Sequence, residues 1–384
     1  MTPDIVITGA GVVSAIGCGK TDTLAALRAG RSGIAPIRYL DTPLKEYPVG
    51  EVPLSDVEIA ALTGAPVQWP RTTLLAIPAL QEALAQAGLR DGQDMMLISG
   101  TTVGGMDRTE KSFPQYSRDH SCGSSTDLAA LFIGGFDDAT TLSTACSSAA
   151  NAVIFGANLL RSGRYKRVVV GGSESLSSYH LHGFHSLMIL DREPCRPFDA
   201  TRAGLNLGEG AAFLVLETAD STAERGAKPL ARLSGFGNAC DAFHQTASSA
   251  DGEGAFLAMS KALQMAGLLP SDIDYVNAHG TGTPNNDASE SAALRRIFGA
   301  DLPPVSSTKA FTGHTTSASG SIEAVFCLLA LQHGFLPPQL HFSTPDPSCI
   351  VPCHSGLSAT PRHILSNAFG FGGNDTSLIF SVYE

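Results

Sequence analysis

Four short segments carry side chains able to do chemistry. The first is Thr144-Ala145-Cys146-Ser147-Ser148, running into Ala149-Ala150-Asn151-Ala152-Val153-Ile154. The small residues after Cys146 predict the start of a buried helix. A cysteine at a helix N-terminus meets the positive end of the dipole, which lowers its pKa and favours the nucleophilic thiolate. A free cysteine is more commonly an inert buried residue, and this segment alone leaves both readings open. In the second, Asn277-Ala278-His279-Gly280-Thr281-Gly282-Thr283-Pro284, a strand delivers a histidine into a Gly/Thr loop. Binding residues concentrate in such loops. In the third, Ser307-Thr308-Lys309-Ala310-Phe311-Thr312-Gly313-His314, a histidine opens a small-residue helix and is bracketed by Lys309 and Glu323. Alone, the segment reads as a surface lysine and a helix cap. The fourth, Asn367-Ala368-Phe369-Gly370-Phe371-Gly372-Gly373, sets two aromatics among three glycines, so backbone N–H groups can approach a ligand closely.

Cysteine and histidine have other uses. Cys146 to His279 is 279 − 146 = 133 residues, inside the roughly 130–150 of papain-like proteases. Their cysteine, however, sits in Cys-Gly-Ser-Cys-Trp near the mature N-terminus, whereas Cys146 lies mid-chain. Cys349, Cys353 and His354 lie close together but lack a second pair at structural-zinc spacing, so no metal is expected. Gly9-Ala10-Gly11-Val12-Val13-Ser14 misses the dinucleotide fingerprint at its last position and reads as a strand-ending turn.

The elements that must position these groups read as α/β. Ile5–Thr8, Val168–Val170 and Leu378–Val382 are short apolar runs suited to buried strands. Leu74–Gly88 has apolar residues at 74, 75, 77, 80, 84 and 87, helical spacing closed by glycine, and Phe256–Gly267 has the same character. Strands alternating with helices predict layers of both. Ala-Gly-Leu recurs at 87–89 and 266–268, each time followed by a strand-like run, Met95–Ser99 and then Asp274–Ala278. This echo points to an internal duplication, with halves 1–228 and 229–384 packed as one body. Thr109–Asp127, rich in Ser, charge and Gly, reads as a long surface loop.

Composition narrows the function classes. Of 384 residues, 43% are hydrophobic and 16% charged, enough for a large core and against disorder. The net charge is 25 − 36 = −11, which disfavours nucleic acid as partner. Eight cysteines without a CxxC pair predict reduced thiols in a cytoplasm rather than a disulfide scaffold. No basic residue precedes Lys20, so no signal peptide is expected. Apolar runs such as Ala324–Ala330 fall short of the ~18 residues of a membrane span.

Taken in order, the four segments closely resemble the β-ketoacyl-acyl-carrier-protein synthases, the condensing enzymes of fatty acid and polyketide synthesis. The nearest relative is the elongating, type II branch with a Cys-His-His site. Arg196-Pro197-Phe198-Asp199 and Leu207-Gly208-Glu209-Gly210-Ala211 extend the likeness along essentially the whole chain. The resemblance implies a duplicated thiolase-like α/β fold in five layers (αβαβα). It implies that Cys146 takes an acyl chain from a carrier protein, with backbone N–H groups of Cys146 and Phe369 as the oxyanion hole. His279 and His314 would then donate to the enolate that forms when malonyl-carrier loses carbon dioxide. Lys309 and Glu323 match residues that orient the second histidine. Thr281 and Thr283 match positions that bond the phosphopantetheine arm, and Phe369, beside Gly370, pairs with Phe184 as the gate of the acyl pocket. No cofactor is implied. The implied partners are acyl carrier protein and a second subunit, in a homodimer or in a heterodimer with a chain-length-factor-like chain.

Three departures stand out. The chain is short before Cys146. Met188 stands where the family often has an arginine that docks the acidic carrier, leaving Arg71 or the Arg161, Arg164, Lys166, Arg167 cluster as substitutes. Ala203–Glu209 looks more like ketosynthases of polyene or other secondary pathways. Two rival readings are a non-catalytic chain-length factor, which would lack the nucleophile, and a degradative thiolase, which would carry a second cysteine near the C-terminus; Asn367–Gly373 has none.

Overall fold

The computed structural model describes residues 3–354 and 356–384. The strands used below are β1 (Ile5–Ser14), β2 (Met95–Gly100), β3 (Asp138–Leu142), β4 (Arg167–Glu174) and β5 (Gly210–Thr218), then β6 (Ala231–Cys240), β7 (Tyr275–Asn277), β8 (Val305–Ser306), β9 (His363–Gly370) and β10 (Asn374–Ser381), leaving aside three two-residue strands. They follow one another laterally as β3-β2-β4-β5-β1-β6-β10-β9-β7-β8. The first five run 3-2-4-5-1. The last five, read from the opposite edge, run 8-7-9-10-6, the same order raised by five. Directions repeat too. β2 is parallel to β3 and β4, while β5 is antiparallel to β4 and β1. β7 is parallel to β8 and β9, while β10 is antiparallel to β9 and β6. Among the described residues, strand pairing joins the two sets at Val6↔Arg232 and Ile7↔Ala231.

The helices used below are α1 (Arg71–Gln86), α2 (Met106–Ser112), α3 (Cys122–Ile133), α4 (Ser148–Arg161), α5 (Ser178–Ser186), α6 (Glu253–Ala266), α7 (Pro284–Phe298) and α8 (Ser319–His333). α1 covers β1 and β5 on one outer face, and α6 covers β6 and β10 on the other. α4 and α8 pack against each other, α4 on β2 and β4, α8 on β9 and β5. The result is five layers, αβαβα. Every residue of α8 from Ser319 to Ala330 is buried, as an all-round apolar helix in a central layer must be. β1 buries all ten of its residues because both its faces are covered.

Two expectations change. Gly9 and Gly11 lie inside β1 rather than in a turn. A Cβ on either would sit 2.0 Å from a carbonyl oxygen of α1, that of Ala83 or Ala79. Their absent side chains let the helix sit down on the strand. Gly235 and Gly237 of β6 do the same beneath α6, where a Cβ would stand 2.3 Å from Ala262 O and 2.2 Å from Ala258 O. The 109–127 segment is likewise no simple loop. It holds the end of α2, a 3-10 turn at Arg118–His120 and the start of α3. The first turn of α3 is Cys-Gly-Ser-Ser-Thr, poor helix formers held by tertiary packing that outweighs propensity.

Candidate active site

Cys146 lies in the turn from β3 into α4. The turn is held by Ser148 Oγ, which accepts from Thr144 N at 2.9 Å and donates to Ala145 O at 2.6 Å. Ala145 is left-handed, with φ 52°, a conformation that a residue with a Cβ adopts at a cost. Ser147 is the N-cap of α4, so Cys146 stands just ahead of the helix. Its side chain is buried. Burial pushes the thiol up to about 11, although Lys309 and the backbone N–H of Phe371 pull the other way. The thiolate expected from the helix dipole is therefore not the resting form, because desolvation of a buried charge outweighs half a dipole charge at the helix end.

His279 follows β7. Its loop is clamped by Glu290 of α7, a buried carboxylate that accepts from His279 N at 2.9 Å, Gly280 N at 2.8 Å and Asn367 Nδ2 at 3.0 Å. His314 is placed by its own backbone, His314 N donating to Asn206 O at 2.7 Å and Gly208 N to His314 O at 2.9 Å. The two imidazoles meet edge to face with centroids 5.3 Å apart. His314 Nε2 lies 3.0 Å from Cys146 Sγ. Burial first, and the Lys309 charge second, hold both rings well below the usual histidine range. Both are therefore neutral at neutral pH. Their Nδ1 atoms have no hydrogen-bond partner among the described residues, so neither ring is locked into one tautomer. Behind them Lys309 Nζ meets Glu323 Oε1 at 2.5 Å, with both side chains almost wholly buried. Burial raises the Glu323 carboxyl to about 7 against the opposing pull of Lys309.

A cavity of about 230 Å³ gathers the predicted residues: Cys146, His279, His314, Thr281, Thr283, Phe184, Phe369 and Gly370 all line it. The Thr281 and Thr283 hydroxyls bond each other at 2.9 Å. Lys309 and Glu323 stand outside the lining.

The gate differs from expectation. Phe369 is buried inside β9 with its ring tilted on His279, centroids 5.6 Å apart. Phe371 instead stacks on Phe184 at 5.9 Å and gives its backbone N–H to the Cys146 sulfur. The physical reason is register: β9 ends at Gly370, and Phe371 is the first residue free of the strand. Gly370 itself allows close contact, since a Cβ there would stand 2.8 Å from Thr144 O. Asn374 Oδ1 ties the same loop down, accepting from Ser147 Oγ at 2.8 Å and Asn151 Nδ2 at 2.7 Å.

Two carboxylates were missed in the sequence. One is Glu290. The other is Glu174, fully buried at the end of β4. It accepts from Thr101 Oγ1 at 2.7 Å, Thr102 N at 2.8 Å and the Ser317 hydroxyl, binding the turn after His314 to the first set of strands. An acid closing the wholly apolar run Val168–Gly172 was the available signal.

Of the substitute docking residues, Arg71 is already committed inside the chain. Arg71 is buried, paired with Glu209 at 2.6 Å and Asp56 at 2.8 Å. Arg161 ends the helix that Cys146 precedes, 161 − 148 = 13 residues from its start, about 20 Å at 1.5 Å per residue. Among the described residues no cluster of His, Cys, Asp and Glu is arranged to hold a metal, and no helix is long and apolar enough to cross a membrane.

Fold and site together define a thiolase-fold enzyme with a buried thiol facing two neutral imidazoles. The chain belongs to the β-ketoacyl synthase family: residues 2–222 match the model of its N-terminal domain and residues 230–343 that of its C-terminal domain. It is 34% identical to Nodulation protein E of Rhizobium meliloti (strain 1021), over 98% of both chains. It is 33% identical to 3-oxoacyl-[acyl-carrier-protein] synthase 2 of Synechocystis sp. (strain ATCC 27184 / PCC 6803 / Kazusa), over 99% of this chain and 98% of that one. Among solved structures it superposes on the ishigamide ketosynthase/chain length factor with a TM-score of 0.93, 32% identity and full coverage of both chains.

Proposed function

We propose that this chain condenses an acyl group held on Cys146 with malonyl-acyl-carrier protein, releasing carbon dioxide and a β-ketoacyl-carrier protein. The observation that carries this is the 3.0 Å contact between Cys146 Sγ and His314 Nε2 with both imidazoles neutral. The thiol proton passes to His314 as sulfur attacks the incoming thioester, and His314 returns it to the departing carrier thiol. The N–H groups of Cys146 and Phe371, already directed at the sulfur, receive the oxygen charge of the tetrahedral intermediate.

Malonyl thioester then enters through Thr281 and Thr283. Its carboxylate leaves as carbon dioxide and the electron pair moves to the enolate oxygen. Neutral imidazoles at His279 and His314 donate N–H there without handing a proton to the carbanion. The carbanion attacks the acyl carbonyl, forming the C–C bond and breaking the S–C bond, and the Cys146 thiolate that leaves takes one proton from solvent, the proton that loss of carbon dioxide from the carboxylate consumes overall. Burial, and after it the charge of Lys309 held by Glu323, keeps both rings unprotonated.

Residues 1–228 form the half with the nucleophile and 229–384 the half with both histidines. The cytoplasm suits a protein whose working group is a reduced thiol. A heterodimer with a chain-length-factor-like subunit is favoured by the likeness to the ishigamide ketosynthase/chain length factor, and points to secondary metabolism. With Cys146 and both histidines in place, this chain is the active subunit. Mass spectrometry after exposure to a panel of acyl-carrier thioesters should find the acyl mass on Cys146, and Cys146→Ala should neither load nor condense. A Cys146→Ala protein that still condenses refutes the assignment.

A further inference from the structure

One short turn lies between His314 and α8. Thr316–Ala318 forms a 3-10 turn, and α8 starts at Ser319. Thr316 is left-handed, with φ 44°. For a β-branched residue that is a genuine outlier, disfavoured about tenfold against ordinary helical backbone. Such strain persists only where the surroundings over-determine it, and it gathers at functional sites. Here the surroundings are Glu174, fully buried at the end of β4. Its carboxylate accepts from the Ser317 hydroxyl and, at 3.4 Å, from Thr316 Oγ1. It also accepts from Thr101 Oγ1, from Thr102 N and Oγ1, and from Val103 N at 3.2 Å, all in the segment after β2. One side chain thus fastens the turn of the second repeat to two strand ends of the first. The Cys146–His314 contact crosses the same boundary, and a single residue, Thr315, separates the imidazole from the strained position.

We infer that Glu174 is a positioning residue: it holds Thr316 in the left-handed conformation and so keeps His314 Nε2 within reach of the Cys146 sulfur. It does not line the cavity and acts only through the turn. Without its hold the turn relaxes toward ordinary backbone, the imidazole moves with it, and the attacking thiol loses its proton acceptor. The inference rests on the condensing reading for the use made of that contact. The contact itself can be read with a reagent that is no substrate.

The test cuts the link at its lighter end. Ser317→Ala removes one hydroxyl from a buried residue outside the cavity. Ser317→Ala/Thr316→Gly adds a residue that takes the left-handed conformation freely. Mass spectrometry of Cys146 follows two rates, alkylation by iodoacetamide and acylation by hexanoyl-pantetheine. In Ser317→Ala the alkylation rate and the maximal acylation rate should each fall about tenfold, the bias of the backbone. The hexanoyl-pantetheine concentration for half the maximal rate should hold within about twofold, since binding is not what is lost. Adding Thr316→Gly should bring both rates back to within about threefold of wild type, because the turn then needs no anchor. A residue needed for stability alone would show no such recovery. Glu174→Gln, whose amide N–H would face N–H donors, should fall at least as far, and Ser317→Ala decides the matter even if that variant does not fold. Unchanged rates in Ser317→Ala, a shift confined to the half-maximal concentration, or no recovery with glycine overturns the assignment. Wild type that iodoacetamide alkylates but hexanoyl-pantetheine does not load refutes the condensing reading, and the alkylation rates then decide the positioning role by themselves.

Discussion

Replacing Lys309 by methionine tests the electrostatic design of the site. Lys309 and Glu323 are 1% and 4% exposed in their side chains and meet at 2.5 Å. Removing one member of so buried a pair strands the other charge and costs about 3–5 kcal/mol, whereas replacing both with apolar groups of similar volume is close to neutral. Lys309→Met should therefore lower the unfolding free energy by about 3–5 kcal/mol. Glu323→Leu should do likewise, and the double variant should recover most of the loss. Urea denaturation midpoints of all four proteins close the cycle. The same substitution has a chemical readout. Lys309 holds His279 and His314 down, so losing its charge raises both, and a higher pH is needed to keep the rings neutral. The acid limb of malonyl-thioester decarboxylation should move to higher pH in Lys309→Met. A single-variant cost below about 1 kcal/mol, a double variant no better than the singles, or an unmoved acid limb would refute this account.

His279→Ala should stop carbon dioxide release from malonyl thioester while acyl transfer to Cys146 partly survives; loss of both together would contradict the division of roles. Burial, then Asp241 and Glu290, raise Asp375 to about 8. The folded state thus holds a proton that the unfolded chain releases, a contribution complete below the ordinary carboxylate pKa and lost as pH rises through about 8. Asp375→Asn should flatten that decline, and melting temperatures at about pH 6 and pH 9 should differ less than in wild type. Gly370→Ala would press a methyl against Thr144 O at 2.8 Å. It should slow Cys146 acylation and cost about 1–3 kcal/mol of stability, read by urea denaturation.

Much of this was legible in the chain. Cys146, His279 and His314 each stand beside small or glycine residues at an element boundary, where a polar side chain has no packing reason to be. The strand-helix alternation, and the Ala-Gly-Leu echo behind the repeat 3-2-4-5-1, could be read for the same reason: both follow from periodicity. What escaped depends on distant partners. Lys309 and Glu323 read locally as surface charge, and only the resemblance placed them at the site. Glu174 and Glu290 look like any acid until loops from other segments bring their donors. The choice between Phe369 and Phe371 turns on which residue ends β9, a register that two aromatics in a glycine run do not settle. The sign of the Cys146 shift needed the depth of burial, and the dipole alone pointed the wrong way.

The repeated strand order has a geometric consequence for the site. α4 follows β3, and α8 follows that strand's counterpart β8, so the turns carrying Cys146 and His314 hold corresponding places in the two repeats. A pseudo-twofold axis between repeats brings like position against like, as at a symmetric dimer contact. The sulfur–imidazole pair is thus the fold touching itself across its own axis, with different residues on the two sides. Relative movement of the two repeats therefore acts directly on that contact.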